Sequence, residues 1–156
     1  MDLGTAIIGG VLLLACITPI VIAHNSSNKK YKKTLAALSD YAAEKSCKIN
    51  QQDIWIHAAI GIDTQNRMLF FLKGDSNAHT IEHVDLNKIK ESRVITPDSR
   101  EKSDRINRLV LELQPANNSE QPAVLEFYNA NVSMQLADEL ILAKKWKQII
   151  NDVVGA

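Results

Sequence analysis

The sequence predicts an α+β protein: an N-terminal transmembrane helix, a juxtamembrane helix, then an antiparallel, partly open β-barrel or bent sheet capped by a C-terminal helix. Three observations carry this reading. Residues 3–23 hold no charged side chain. Between Asp53 and Tyr128, short runs of alternating apolar and polar residues are separated by turn-forming clusters, the period-two pattern of strands. From about Ser133 to Val154 the apolar residues change to helical spacing.

The apolar run reads LGTAIIGGVLLLACITPIVIA. As a helix, twenty-one residues extend about 31 Å, close to the ~30 Å hydrocarbon core of a bilayer. Pro19 falls inside it and is tolerated in membrane helices. A cleaved signal peptide is the first rival reading, but the run follows Met1-Asp2 with no basic residue and exceeds the usual apolar length of such signals. A lipoprotein signal around Cys16 is the second, and the apolar residues after Cys16 argue against it. Lys29, Lys30, Lys32 and Lys33 follow the run and nothing basic precedes it. The positive-inside rule then places the protein in the inner cell membrane as a single-pass chain, its N-terminus outside and its C-terminal domain in the cytoplasm. The same four lysines are the expected contact with anionic headgroups at the membrane surface.

The division that follows is residues 1–24 as anchor, 25–50 as a basic juxtamembrane helix and linker, and 51–156 as the globular domain. The chain carries 18 basic and 18 acidic side chains. A net charge of zero excludes a general nucleic-acid binder, which needs a cationic field to neutralise phosphates. The two cysteines, Cys16 and Cys47, lie on either side of the anchor boundary, so no disulfide framework is expected.

Tyr31, Leu35, Leu38 and Ala42 recur at spacings of four, three and four, which predicts a helix from Lys29 to about Cys47 with a narrow apolar stripe. That stripe should pack on the domain or against a second copy. Asp53 to Ile62 reads as a single half-buried strand with Ile54, Ile56, Ala58, Ile60 and Ile62 on one face. Arg67 to Lys73 pairs with it across the Asp63–Asn66 turn. Weaker strands fall at 79–85 and 89–96. Pro97 to Asp104 reads as an exposed loop. Ile106–Leu113 and Ala123–Tyr128 form a second hairpin, with Leu109, Leu111 and Leu113 alternating against Arg108, Val110 and Glu112. In the last helix Leu142, Trp146, Ile149 and Val153 form the stripe expected to cover a sheet, with Trp146 as its core residue.

Six strands in hairpins followed by an amphipathic helix with a central Trp resemble the pleckstrin-homology-like superfold. The residues that carry the resemblance are WIHAAIGIDTQNRMLFFLK, RLVLEL with AVLEFY, and Trp146 in LILAKKWKQII. With the anchor, the chain looks similar to small bacterial single-span membrane proteins bearing such a domain. The resemblance implies a bent sheet closing into a partly open barrel, with Trp146 at its mouth. The family's phosphoinositide binders carry several basic residues on the first hairpin. Here that hairpin offers only Arg67 and Lys73, so inositol-phosphate binding does not follow.

His79, Glu82 and His83 spell the HxxEH pattern of an inverted zinc-protease motif. On a strand the two histidines stand about 13 Å apart, too far to share an ion, so a solvated strand is the expectation. His57 reads as facing outward. The run Asp98, Arg100, Glu101, Lys102, Asp104 and Arg105 reads as a solvated loop. No cofactor, metal or catalytic group is expected. The function that fits is a membrane-anchored cytoplasmic interaction or scaffold module acting on other membrane proteins, with anionic-lipid binding as the alternative and an enzyme as the remote one. The expected partners are membrane lipid, a membrane protein, and a second copy of the chain.

Overall fold

In the computed structural model the described residues are 31–55, 58–75, 78–96, 106–133 and 136–156. The chain begins there with helix α1 (31–44). Strands β1 (Gln51–Trp55), β2 (Ala58–Asp63), β3 (Met68–Asp75) and β4 (Ala78–Asp85) follow, then a 3-10 turn, Leu86–Lys88. Strands β5 (Ile89–Ile95), β6 (Arg108–Pro115) and β7 (Ala123–Asn129) lead to helix α2 (Glu139–Gly155).

The strands form two antiparallel sheets, β1-β2-β3-β4 and β5-β6-β7. This corrects the expected partly open barrel. Each sheet remains open, and no strand of one pairs with a strand of the other. The break falls at the 3-10 turn, where Asp85 Oδ1 accepts from the backbone N–H of Asn87 at 3.0 Å and the chain leaves the first sheet for the second. The two sheets face each other across one core. Ile60, Ile62, Leu69 and Phe71 from the first meet Leu109, Leu111, Leu113, Leu125 and Phe127 from the second. Trp146, Ala143 and Ile150 of α2 complete it, and Leu142, Ile149 and Val153 pack at its margin.

The segment read as one strand from Asp53 to Ile62 is a hairpin. Trp55 pairs with Ala58, and Ile54 with Ala59. The reversal changes which residues share a face. Ile60 and Ile62 enter the core between the sheets, whereas Ile54 packs on the opposite face. Ile56 and His57 lie outside the described residues, as does the charged run 98–105.

Strand β2 is buried along its whole length because the first sheet is covered on both sides. On its outer face Leu38 and Ala42 of α1 meet Ala59, Phe70 and Leu72, and Tyr41 sets its ring edge-on to Phe70 at 6.3 Å. The approach is close at Gly61. A Cβ there would lie 2.9 Å from Ile49 Cδ1 and 3.2 Å from Leu38 Cδ2. Between β2 and β3 the buried carboxylate of Asp63 gathers four N–H groups. Its Oδ1 accepts from the backbone of Gln65 and Asn66 at 3.0 and 2.9 Å. Its Oδ2 accepts from the Lys48 backbone and the Asn66 side chain at 2.7 and 2.8 Å. Burial alone would raise the Asp63 pKa; the N–H donors from Asn66, Lys48 and Gln65 outweigh it and hold the group below the usual carboxylate range.

Helix α2 is fixed near its C-terminal end by two polar contacts. Arg67, in the left-handed region at φ 53°, donates from Nη2 to the carbonyls of Val153 and Val154 at 2.7 and 3.2 Å, a cation on the negative end of the helix. Against β5, the side chain of Asn151 behaves as a strand would. Its Oδ1 accepts from the Ser92 backbone N–H at 2.7 Å and its Nδ2 donates to the Ser92 carbonyl at 3.2 Å.

No helix among the described residues is long and apolar enough to cross a membrane. Helix α2 spans 17 residues, about 26 Å, and exposes Lys144, Lys145 and Lys147; α1 is shorter and spends its apolar stripe on the first sheet. The expected span at 3–23 lies outside the described residues. The anchored, single-pass inner-membrane topology with a cytoplasmic domain is therefore corrected: the described residues hold no membrane-crossing helix on which it could rest.

Two outcomes are expected. Gly61→Val should crowd Ile49 and Leu38 and cost about 1–3 kcal/mol; amide exchange should accelerate in residues 35–44 more than in β6, and equal effects in both would show that the close approach does not hold α1. Asp63→Ala should lower stability by about 2–3 kcal/mol at pH 7 by orphaning buried donors. Because the native pKa is depressed, the wild-type contribution is complete above the unfolded value near 4 and is lost as pH falls below it. Denaturant titrations of wild type and variant should therefore converge in acid.

Candidate functional site

The two sheets are tied together at one margin. The indole N–H of Trp55, on edge strand β1, donates to the Phe127 carbonyl on edge strand β7 at 3.1 Å, and the two rings stack at 4.7 Å. Beside this tie Lys73 of β3 reaches across to Glu126 of β7. Arg108 Nε, from the neighbouring β6, donates to the other Glu126 oxygen at 2.7 Å, and Asn129 Nδ2 joins at 3.3 Å. Burial pushes the Glu126 pKa up, but the hydrogen bonds and charge of Lys73, with those of Arg108 and Asn129, bring it below the usual carboxylate range.

A bulge in β7 shapes this margin. Leu109 pairs with Tyr128 and Val110 with Glu126, which leaves Phe127 as the extra residue. A bulge of this kind re-aims side chains. Phe127 and Tyr128, although adjacent, both join the core between the sheets.

Next to the tie lies a cavity of about 330 Å³. Trp55, Phe127, Tyr128, Lys73, Glu126 and Glu139 are among the residues that line it. Most of its wall is apolar. Glu139, the first residue of α2, is only 5% exposed, and its Oε2 accepts from the Ala137 N–H at 2.7 Å. A second, polar cavity of about 680 Å³ adjoins the first and is lined by Asn107, Arg108, Glu126, Asn129 and Asn131. Glu126 and Asn129 border both.

The residues singled out from the sequence fall elsewhere. Lys32 and Lys33 are exposed on α1 and line neither cavity; Lys29 and Lys30 lie outside the described residues. Trp146 is fully buried, and its indole N–H donates to Asp53 Oδ2 at 2.8 Å, an oxygen that also accepts from Lys145 at 2.6 Å. His79 and His83 stand on β4, and His83 Nδ1 lies in hydrogen-bond contact with the Tyr41 hydroxyl at 3.1 Å. Among the described residues no three His, Cys, Asp or Glu side chains come together as a metal site. Cys47 is a free thiol, raised in pKa by burial and then by the Asp63 charge.

The cavity residues that matter were not selected by pattern. No sequence motif singles out Glu126 or Glu139. The Phe127–Tyr128 doublet did carry a signal, since two adjacent aromatics interrupt the alternation of β7, as a bulge does.

Compared with protein-family models, curated proteins and solved structures, the chain matches none. The resemblance to the pleckstrin-homology-like superfold, and to small bacterial single-span proteins bearing it, is corrected on this ground and on the open sheets. The scaffold function, the lipid-surface alternative, and the lipid, membrane-protein and second-copy partners are corrected with the anchor. All but the last depended on a membrane-crossing helix, of which the described residues contain none; the second copy rested on the α1 stripe, whose Leu38 and Ala42 pack on the first sheet instead.

Replacing Glu126 by Gln should remove the charge that Lys73 and Arg108 share. Both cations are about half exposed, so the expected cost at pH 7 is only about 1 kcal/mol. The native pKa is depressed, so the stabilisation is present above the unfolded value near 4.3 and fades below it. The difference in midpoint between wild type and E126Q should shrink between pH 5 and pH 3; a constant difference would assign the effect to packing.

Proposed function

We propose that this domain is a binding module that takes the apolar part of a small organic ligand into the cavity between its sheets. The observation that carries the reading is the cavity itself. Its 330 Å³ sits at the small end of the range for ligand sites, and an apolar wall with a few polar groups is the usual composition of such sites. At about 30 Å³ each, some eleven waters would fill it, and releasing water from aromatic walls favours an apolar guest. The Asn107–Asn131 cavity beside it offers amides and a guanidinium for the polar end of the same molecule.

The reading is one of binding without turnover. Glu126 is committed to Lys73, Arg108 and Asn129, and its lowered pKa makes it a weak proton acceptor near neutrality. The polar groups at this margin act by position and charge.

Small aromatic fragments such as phenol and indole, titrated into the full chain, should bind saturably and shift the NMR signals of Trp55, Phe127 and Tyr128. Ala58→Leu places extra carbon at the cavity wall and should weaken them at least tenfold. Should that variant lose its fold, Val132→Trp at the exposed rim serves instead. Fragments that bind equally well to the variant, or that leave those three residues unmoved, would overturn the proposal.

A further inference from the structure

We infer that the guest is an organic cation, an amine or quaternary ammonium on a small apolar group, recognised by Glu139 and the aromatic walls. The inference rests on the pocket reading above and adds the sign of the ligand's charge. Among the described residues three charged side chains line the apolar cavity: Lys73, Glu126 and Glu139. Glu126 is already answered by Lys73 and Arg108. Glu139 is different. It is 95% buried; among the described residues its Oε2 accepts from the Ala137 N–H and no cation stands within ion-pair distance of it. A carboxylate removed from water keeps its field undiminished toward whatever enters the cavity, and the cationic group of a ligand is its complement.

The rings act in the same direction. Trp55, Phe127 and Tyr128 border the cavity with Glu139, and the negative face of an aromatic ring attracts a cation placed within about 6 Å, most strongly for alkylated ammonium groups that shed water easily. Anionic guests meet the opposite balance. Among the described residues the cations at the margin are Lys73 and Arg108; both are half exposed and therefore screened, and both are shared with Glu126. An anion entering the apolar cavity would face Glu139 with no buried positive charge to offset it.

The test is calorimetric titration of the full chain with three probes of one shape: benzylammonium, benzyl alcohol and benzoate. Benzylammonium should bind at least tenfold more tightly than benzyl alcohol, and benzoate should bind most weakly. Glu139→Gln should bring benzylammonium down to the level of benzyl alcohol while leaving the alcohol unchanged. Lys73→Met, at an exposed position, should raise benzylammonium affinity several-fold, which keeps the inference open to refutation if E139Q fails to fold. Alcohol or benzoate binding as tightly as the amine would overturn the cation assignment and leave the cavity a binding site. If none of the three binds, the binding reading and the inference fall together.

Discussion

The structure depends on burying both faces of the β2–β3 hairpin. Its inner residues, Ile60, Ile62, Leu69 and Phe71, belong to the core shared with the second sheet and α2. Its outer residues, Ala59, Phe70 and Leu72, belong to a separate cluster under α1. Neither sheet could hold this hairpin alone, because an antiparallel sheet commonly leaves one face to solvent. Two devices make the double burial work. Gly61 removes the side chain where α1 comes nearest, and Asp63 satisfies the polar groups of the turn at the end of β2 without water. The helix that carries Lys32 and Lys33 is thus a structural layer of the domain.

The cavity follows from how the two open sheets meet. A closed barrel would have joined β1 to its neighbour by a ladder of backbone bonds. Here the two edges are joined by a side chain, Trp55 onto the Phe127 carbonyl, with Lys73 of the inner strand β3 reaching Glu126 beside it. Side-chain ties leave more space than a ladder does, and the β7 bulge turns aromatic surface toward that space. Helix α2 then brings Glu139 to its wall with its first residue. The site is a by-product of incomplete closure, which is why its polar groups come from β3, β6, β7 and the start of α2, elements distant in sequence.

The period of the apolar residues made most elements legible. The strand read at 67–73 corresponds to β3, those at 106–113 and 123–128 to β6 and β7, and Trp146 is fully buried in the last helix, with Ala143 and Ile150. The β1–β2 reversal was not legible, because the sequence between Trp55 and Ala58 includes no Gly, Pro or Asn, and the isoleucines from Ile54 to Ile62 keep a period of two. Val110 was read as facing outward and is buried, since alternation records only one face and cannot tell when the other is covered too. The barrel was an inference from strand order, and order does not specify whether edges close. The site was least legible of all. Glu126 and Glu139 acquire meaning only from neighbours that the fold supplies.

The Asn151 amide has a consequence for the protein among other molecules. A sheet margin with unmet backbone groups invites a foreign strand to continue it. By pairing with both the N–H and the carbonyl of Ser92, Asn151 occupies the position that an incoming polypeptide would need. One amide on a helix thereby works as a stopper, and β5 is denied to the runaway stacking that turns exposed sheet margins into fibres.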